Sequence, residues 1–279
     1  MDELELIDET FDKDRTEVYE LSIQVSLNGF SFAVMDTIRN TYIALISKSF
    51  SNSNINHDSW DAAVNEIGSS YPFILKKFKK VFFAYTLSPF TFVTRELFEL
   101  DRIKSLFEVS QSVPDHFELH HTSVTNGSSY VLIFAVPYTL SSAWLKIQPK
   151  AKFVTASTSL LFNADLQKVK ELLQVHFTEQ YMSVVLHRDD KLVAANSFIF
   201  KNSDDAVYYI LNFSKKLGVD TSAFVRIYGQ YSDELTKVLS NYFPNASSDS
   251  HFNSIHFSYQ LLRYRAKYFS LFNSTAICE

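Results

Sequence analysis

Leu21-Ser-Ile-Gln-Val-Ser-Leu-Asn-Gly-Phe-Ser-Phe32 is the stretch on which the fold turns. Leu21, Ile23, Val25 and Leu27 alternate with Ser22, Gln24 and Ser26, the period of a half-buried strand. Asn28-Gly29 predicts a type I′ turn, because both central positions of that turn need positive φ, which Asn and Gly adopt at least cost. Phe30, Phe32 and Val34 carry the alternation on, and residues 41–48 follow the Arg39-Asn40 turn. Three antiparallel strands are expected to open the domain.

Downstream, a polar loop over residues 51–57 leads to a helix capped by Asp58 or Ser59 and carrying Trp60, Val64 and Ile67. Residues 79–87 read as a buried strand and 95–111 as a helix, from the spacing of Leu97, Leu100, Ile103, Leu106 and Phe107. Strands at 117–124 and 129–137 flank Asn126-Gly127; a helix at 140–147, a strand at 151–156 and a helix at 165–175 follow. The opening then recurs in outline. Strands at 181–187 and 192–200 flank Arg188-Asp189-Asp190-Lys191, Ser203 caps a helix that Gly218 ends, residues 224–228 form a strand, Ser232 caps another helix, and 251–259 form a last strand. The strand, turn, strand, helix, strand order thus occurs twice, with Asn28-Gly29 and Asp189-Asp190 in equivalent places. The C-terminal run Leu261, Leu262, Tyr264, Tyr268, Phe269, Leu271 and Phe272 is apolar on more than one helical side and needs cover, from the core or from a partner.

Composition limits the function. Of 279 residues 46% are hydrophobic and 15% aromatic, enough for a large core and too apolar for disorder. Only 5 are glycine, and loops that cradle phosphate need glycine so that the backbone can approach. A net charge of -5 offers nucleic acid and anionic lipid no global attraction, so nucleic-acid binding is not expected, and no apolar run nears the roughly 20 residues a bilayer span needs, so membrane insertion is not expected either. One cysteine, Cys278, excludes an intrachain disulfide and fits a reducing cytoplasm. The acidic start is the reverse of a signal peptide, so the mature chain is expected to begin at Met1.

On Leu21 to Phe32, Phe134-Ala-Val-Pro137, Asn196-Ser-Phe198, Asp204-Asp-Ala-Val-Tyr-Tyr-Ile-Leu211 and Gly229, the chain resembles the uncharacterised bacterial domain-of-unknown-function family 3822. The resemblance implies an α/β (α+β) fold of duplicated actin-like ATPase, ribonuclease H-like lobes, with mixed sheets and antiparallel hairpins. The expected organisation is an acidic arm over 1–17, poorly ordered or a loosely docked helix, a first lobe with an inserted hairpin over 18–176, and a second lobe over 177–279. In that superfamily each lobe's first hairpin carries an acid followed closely by glycine. Here Leu27 stands where the first acid would fall, Asp189 and Asp190 have no glycine, and the adenosine-side loop is reduced to Tyr228-Gly229-Gln230.

Asn28, Gly29, Asp189, Asp190 and Gly229 are therefore candidates for a vestigial cleft, with no cofactor expected. His116, Glu118 and His120 would share one strand face, as a metal site requires, or simply line a solvated face. Lys76, Lys77, Lys79 and Lys80 around Phe78, and Arg263, Arg265 and Lys267 among aromatics, could grip phosphate or be solvated surface. There is no catalytic signature. The expectation is a non-catalytic cytoplasmic module that binds an unknown protein partner; the alternative is an ATP-binding enzyme or ATP-dependent assembly factor with divergent phosphate loops, using Asp189 or Asp190 on magnesium.

Overall fold

A computed structural model describes residues 3–51, 60–124, 130–161, 169–178, 181–189, 191–230, 233–248 and 255–274. Asp58, Ser59, Asn126-Gly127, Asp190, Ser232 and Cys278 lie outside the described residues.

In chain order the elements are β1 (Leu4–Ile7), β2 (Tyr19–Val25), β3 (Gly29–Asp36), β4 (Thr41–Ser49), α1 (Trp60–Ser70), β5 (Lys80–Tyr85), β6 (Phe90–Thr94), α2 (Ile103–Glu108), β7 (Phe117–Val124), β8 (Tyr130–Pro137), α3 (Tyr138–Ile147), β9 (Lys152–Thr155) and α4 (Thr158–Leu161). Then come β10 (Glu171–Phe177), β11 (Tyr181–Arg188), β12 (Lys191–Ile199), α5 (Ser203–Leu217), β13 (Phe224–Gly229), α6 (Asp233–Tyr242), β14 (Ala246–Ser247), β15 (His256–Phe257) and α7 (Phe269–Phe272).

The described strands form three sheets. The first has the order β1-β4-β3-β2-β5-β9, with β15 also on β4; the second has β12-β11-β10-β13-β14; and β6-β8-β7 make the third, inserted after β5. The first two are one pattern used twice. β2-β3-β4 and β10-β11-β12 are antiparallel meanders, and in each the first strand pairs in parallel with the strand after a helix, β5 or β13. The match reaches single residues. In β3–β4 Val34 opposes Ala44 while Met35 opposes Tyr42, leaving Ile43 as an extra residue; in β11–β12 Leu186 opposes Ala194 while His187 opposes Leu192, leaving Val193. Each bulge follows a turn residue with positive φ, Asn40 at 53° or Asp189 at 47°.

This register corrects several expectations. Residues 171–177 are a strand and not the end of a 165–175 helix: Leu173, Val175 and Phe177 alternate with Gln174 and His176, and the strand is held between β11 and β13. The divide expected at residue 176 falls within that strand, and the C-terminal residues return to the first sheet through β15 and α7. The acidic arm is an ordered edge strand, since β1 pairs antiparallel with β4, Leu4 and Leu6 pack on the core, and Glu5 meets Lys48 Nζ at 3.1 Å. The 95–111 helix is broken into two short 3-10 turns and α2, and β6 had no sequence signal strong enough to name it. The cap of α5 is Asn202, one residue before Ser203, with its side chain accepting from Asp205 N–H at 2.9 Å. The 251–259 strand shrinks to β15 among the described residues, and a 3-10 turn over Tyr259–Tyr264 takes over.

The main core lies between the first sheet and its helices. Leu21, Ile23 and Val25 of β2 pack with Trp60, Ile67, Phe83 and Trp144, all nearly or fully buried. Removing such aromatic side chains from a core costs about 3–5 kcal/mol each. Leu173, Val175 and Phe177 do the same for the second sheet against Ile210 of α5 and Leu239 of α6. The opposite faces of β2 and β10 carry polar residues, and they turn toward each other.

Candidate functional site

The polar face of β2 holds Ser22, Gln24 and Ser26; superposing the two registers sets Gln174, His176 and Thr178 in the same places of the second lobe. Between them lies the C-terminal segment. Gln24 Nε2 donates to Ser270 Oγ at 2.7 Å, and Ser270 Oγ lies 3.0 Å from His176 Nε2. Two residues related by the internal duplication thus converge on one hydroxyl. The Ser270 oxygen has a second lone pair beside the one Gln24 uses, so it can either donate to the ring nitrogen or accept from it. Complete burial pushes the His176 pKa down to about 4, so the ring is neutral at pH 7.

The same segment ties the lobes elsewhere. Ser274 Oγ donates to Ser22 Oγ at 2.7 Å, the Tyr42 hydroxyl donates to the Phe272 carbonyl, and Phe269 stacks on Tyr228 with ring centroids 3.8 Å apart. Gly229, at φ +85, gives its N–H to the Ala266 carbonyl at 2.9 Å. A Cβ there would stand 2.0 Å from the Phe177 carbonyl oxygen, so the glycine serves the tight β10–β13 contact. Gly29 has the same purpose: a Cβ would meet the Lys48 carbonyl oxygen at 2.2 Å. Neither Asn28 nor Gly29 has positive φ, and the first hairpin is not a type I′ turn. Its loop, residues 26–28, is closed by Ser26 N–H on the Gly29 carbonyl at 2.9 Å and by Asn28 N–H on Ser26 Oγ at 3.2 Å.

Next to this junction is a cavity of about 200 Å³, lined by Gln24, Ser26, Leu27, Asn28, Ser31, Thr86, Leu87, His176, Phe177, Thr178, Gln230, Lys267 and Tyr268. Clefts that hold drug-sized ligands run to about 300–1,000 Å³, and no carboxylate is among these residues.

Asn28 therefore lines the cleft, and Gly29 and Gly229 sit one residue from its lining residues Asn28 and Gln230. Asp189 is not at the cleft. It follows β11 at the end of the second sheet where Glu171 pairs with Arg188, whereas the cleft is at the Phe177–Gly229 end. At a strand rise of about 3.3 Å per residue the two ends are about 20 Å apart. The turn equivalent to residues 26–28 joins β10 to β11, one strand earlier than the sequence pattern places it. Around Asp189, Arg188 Nε meets Glu171 Oε1 at 2.5 Å and its Nη2 donates to the Leu217 carbonyl at 2.6 Å, closing the C-terminus of α5.

The metal candidates separate as well. His116 precedes β7 with φ +65, out of register with Glu118 and His120. His120 Nε2 contacts Glu118 Oε1 at 2.9 Å and its ring lies 4.5 Å from that of Phe153, while Ser141 also donates to Glu118. No group of three or more His, Cys, Asp or Glu that could hold a metal occurs among the described residues. In the basic stretch, Lys76 pairs with Asp14 at 2.6 Å and Lys80 with Glu20 at 3.6 Å. Among the described residues no helix is long and apolar enough to cross a membrane.

Two lobes repeating one meander-and-crossover pattern about a central cleft define the actin-like ATPase fold, and solved structures agree. A Bacteroides thetaiotaomicron protein with actin-like ATPase fold and unknown function superposes with a TM-score of 0.80 at 19% identity, covering 97% of this chain and 100% of that one. A chain of a PilM–PilN type IV pilus biogenesis complex gives 0.62 at 13% identity, over 92% and 97% of the two chains. No functionally curated protein matches in sequence. The chain belongs to the family described as Protein of unknown function (DUF3822), whose profile matches residues 8–246.

Proposed function

We propose that this protein is a non-catalytic actin-like module that acts by binding another protein. The observation that carries the reading is the state of the cleft, where Ser270 bonds Gln24 and His176 and Ala266 takes the Gly229 N–H. Backbone donors that would wrap phosphates are spent on the chain itself, and the described lining has no carboxylate for magnesium. The precedent for a protein assembly is the PilM–PilN complex, one chain of which shares the fold. The single cysteine suits a cytoplasmic setting.

The second reading, an ATP-binding enzyme or ATP-dependent assembly factor, has the cavity in its favour, because it sits where the two lobes meet. A thermal-shift titration with ATP and magnesium separates the two. A ligand at 100 times its Kd adds about 2.7 kcal/mol of stability, so an unmoved Tm at millimolar ATP is expected. A magnesium-dependent rise in Tm, or ATP hydrolysis above a Ser270→Trp control, would overturn the non-catalytic reading. Affinity purification under nucleotide-free conditions should recover one protein in stoichiometric amount. Recovery of none would overturn the binding half.

A further inference from the structure

The cavity at the lobe junction draws its walls from three parts of the chain: Leu27, Thr86 and Leu87 of the first lobe, His176 and Phe177 of the second, and Lys267 of the C-terminal segment. Its lining keeps hydrogen-bonding capacity that the fold does not use. Thr86 Oγ1 is enclosed and has no hydrogen-bond partner among the described residues, whereas nearly all buried polar groups in proteins have one. Gln24 and His176 each use Nε2 on Ser270, and Gln24 Oε1 and His176 Nδ1 make no further bond among the described residues. Such a wall calls for a polar occupant.

Size, charge and apolar cover narrow what that occupant is. At about 200 Å³ the cavity is smaller than the about 300–1,000 Å³ of drug-sized ligand clefts, which limits it to a single ring or short chain with its substituents. With His176 neutral, Lys267 is the one cationic side chain in the described lining, so one negative charge is matched and a second is not. The backbone does not make up the difference. The N–H groups of Ser26, Asn28, Thr86, Thr178, Gly229 and Gln230 are all bonded within the chain, so they do not form the nest that holds phosphate. Leu27, Leu87 and Phe177 offer an apolar wall that suits hydrocarbon. We propose that this cavity binds a small organic monocarboxylate, with Lys267 matching its charge, Thr86 Oγ1 donating to its head and Leu27, Leu87 and Phe177 covering its hydrocarbon body. An ammonium and a hydroxyl can both donate, and an ionised carboxylate only accepts. The site needs no metal. It is separate from the partner reading and from the magnesium-dependent shift that tests it, so either can fail alone.

The test is an NMR titration of the isotope-labelled full chain without metal, with benzoate and hexanoate as probes, benzamide as the neutral isostere and inorganic phosphate as the dianion. At least one carboxylate is expected to bind with a Kd of about 1 mM or tighter and to shift the amides of Thr86 and Phe177. Benzamide and phosphate should bind at least ~10-fold more weakly than that carboxylate. Lys267→Met should weaken the carboxylate by ~10-fold or more and leave benzamide unchanged, and Thr86→Val should weaken the carboxylate by about 2–10-fold. If neither carboxylate binds at ~10 mM, the cavity holds water alone and the proposal is overturned. Benzamide or phosphate binding as tightly as the carboxylate, or carboxylate binding indifferent to Lys267→Met or to Thr86→Val, would overturn it as well. Should circular dichroism show Lys267→Met to be misfolded, the carboxylate and benzamide affinities of wild type and of Thr86→Val decide.

Discussion

Replacing His176 by glutamine gives the second lobe the residue its equivalent, Gln24, carries in the first, and removes a buried titrating group. Burial holds His176 at about 4 against an ordinary 6.5. Between those values the unfolded chain binds the proton and the native state does not, so stability is full above about pH 6.5 and is lost as pH falls toward 4. Linkage over a 2.5-unit gap gives a loss of about 2 kcal/mol at pH 5 and about 3 kcal/mol at pH 4. His187, also lowered to about 4 by burial, adds a similar loss. Urea unfolding at pH 7.5 and pH 5 should therefore show a pH-dependent loss about 2 kcal/mol smaller in His176→Gln than in wild type. Carboxylates such as Asp8 and Asp220, whose pKa values are lowered mainly by hydrogen bonds from Thr10 and Ser222, titrate in both proteins and cancel in this difference. Equal losses within about 0.5 kcal/mol would refute the buried, neutral histidine.

The glycines offer a paired comparison. Gly218→Ala meets only the left-handed backbone cost, about 1–2 kcal/mol, because nothing stands within 4 Å of its new Cβ, whereas Gly229→Ala adds a clash at 2.0 Å with backbone and should cost at least ~3 kcal/mol by denaturant titration; equal costs would refute the close contact. Arg188→Ala removes the Glu171 pair and the carbonyl cap of α5 and should lower stability by about 1–3 kcal/mol, discounted because its side chain is 34% exposed; an unchanged Tm would show the cap to be idle. Truncation before Tyr259 strips Leu261, Tyr268, Phe269, Leu271 and Phe272 from the core. At about 1.5–3 kcal/mol each this rivals the whole stability of a domain, so circular dichroism should show no cooperative melt, and a folded remnant would contradict the packing.

Alternation made β2, β3, β4, β11 and β12 legible, because each shows one buried and one polar face or a bounded apolar run. β10 shows the same alternation in Leu173 to Phe177, but Leu172, Leu173 and Val175 also fit a helical stripe with the residues before them. Only its parallel pairing with β13, a contact between residues about fifty apart, decides the matter. Taking β10 for a helix shifts the repeat by a strand and carries Asp189 into a cleft it does not border. β1 was hidden by its charges, which propensity counts against a strand and Lys48 offsets in the fold. The insertion and the C-terminal return depend on long-range contacts, and no local pattern encodes those.

Aligned on the structural register, Leu21-Ser-Ile-Gln-Val-Ser and Leu173-Gln-Val-His-Phe-Thr are the two openings, and the residues at the cleft are Gln24 and His176. Neither is of a type that holds magnesium-bound phosphate, so a pattern of acids and glycines passes over both. Their chemistry suits a different role, because an amide that donates and a neutral imidazole that can accept or donate can share one hydroxyl without charge, in a place where an ion would be costly to bury. Because Ser270 is bonded from both lobes and Phe269 stacks on Tyr228 beside it, opening the cleft would exchange two hydrogen bonds for bonds to water and break the ring stack at once. Each exchanged hydrogen bond costs about 0.5–1.5 kcal/mol net. A lobe-opening cycle would carry that cost at every step, and this is the physical ground for the non-catalytic reading proposed above.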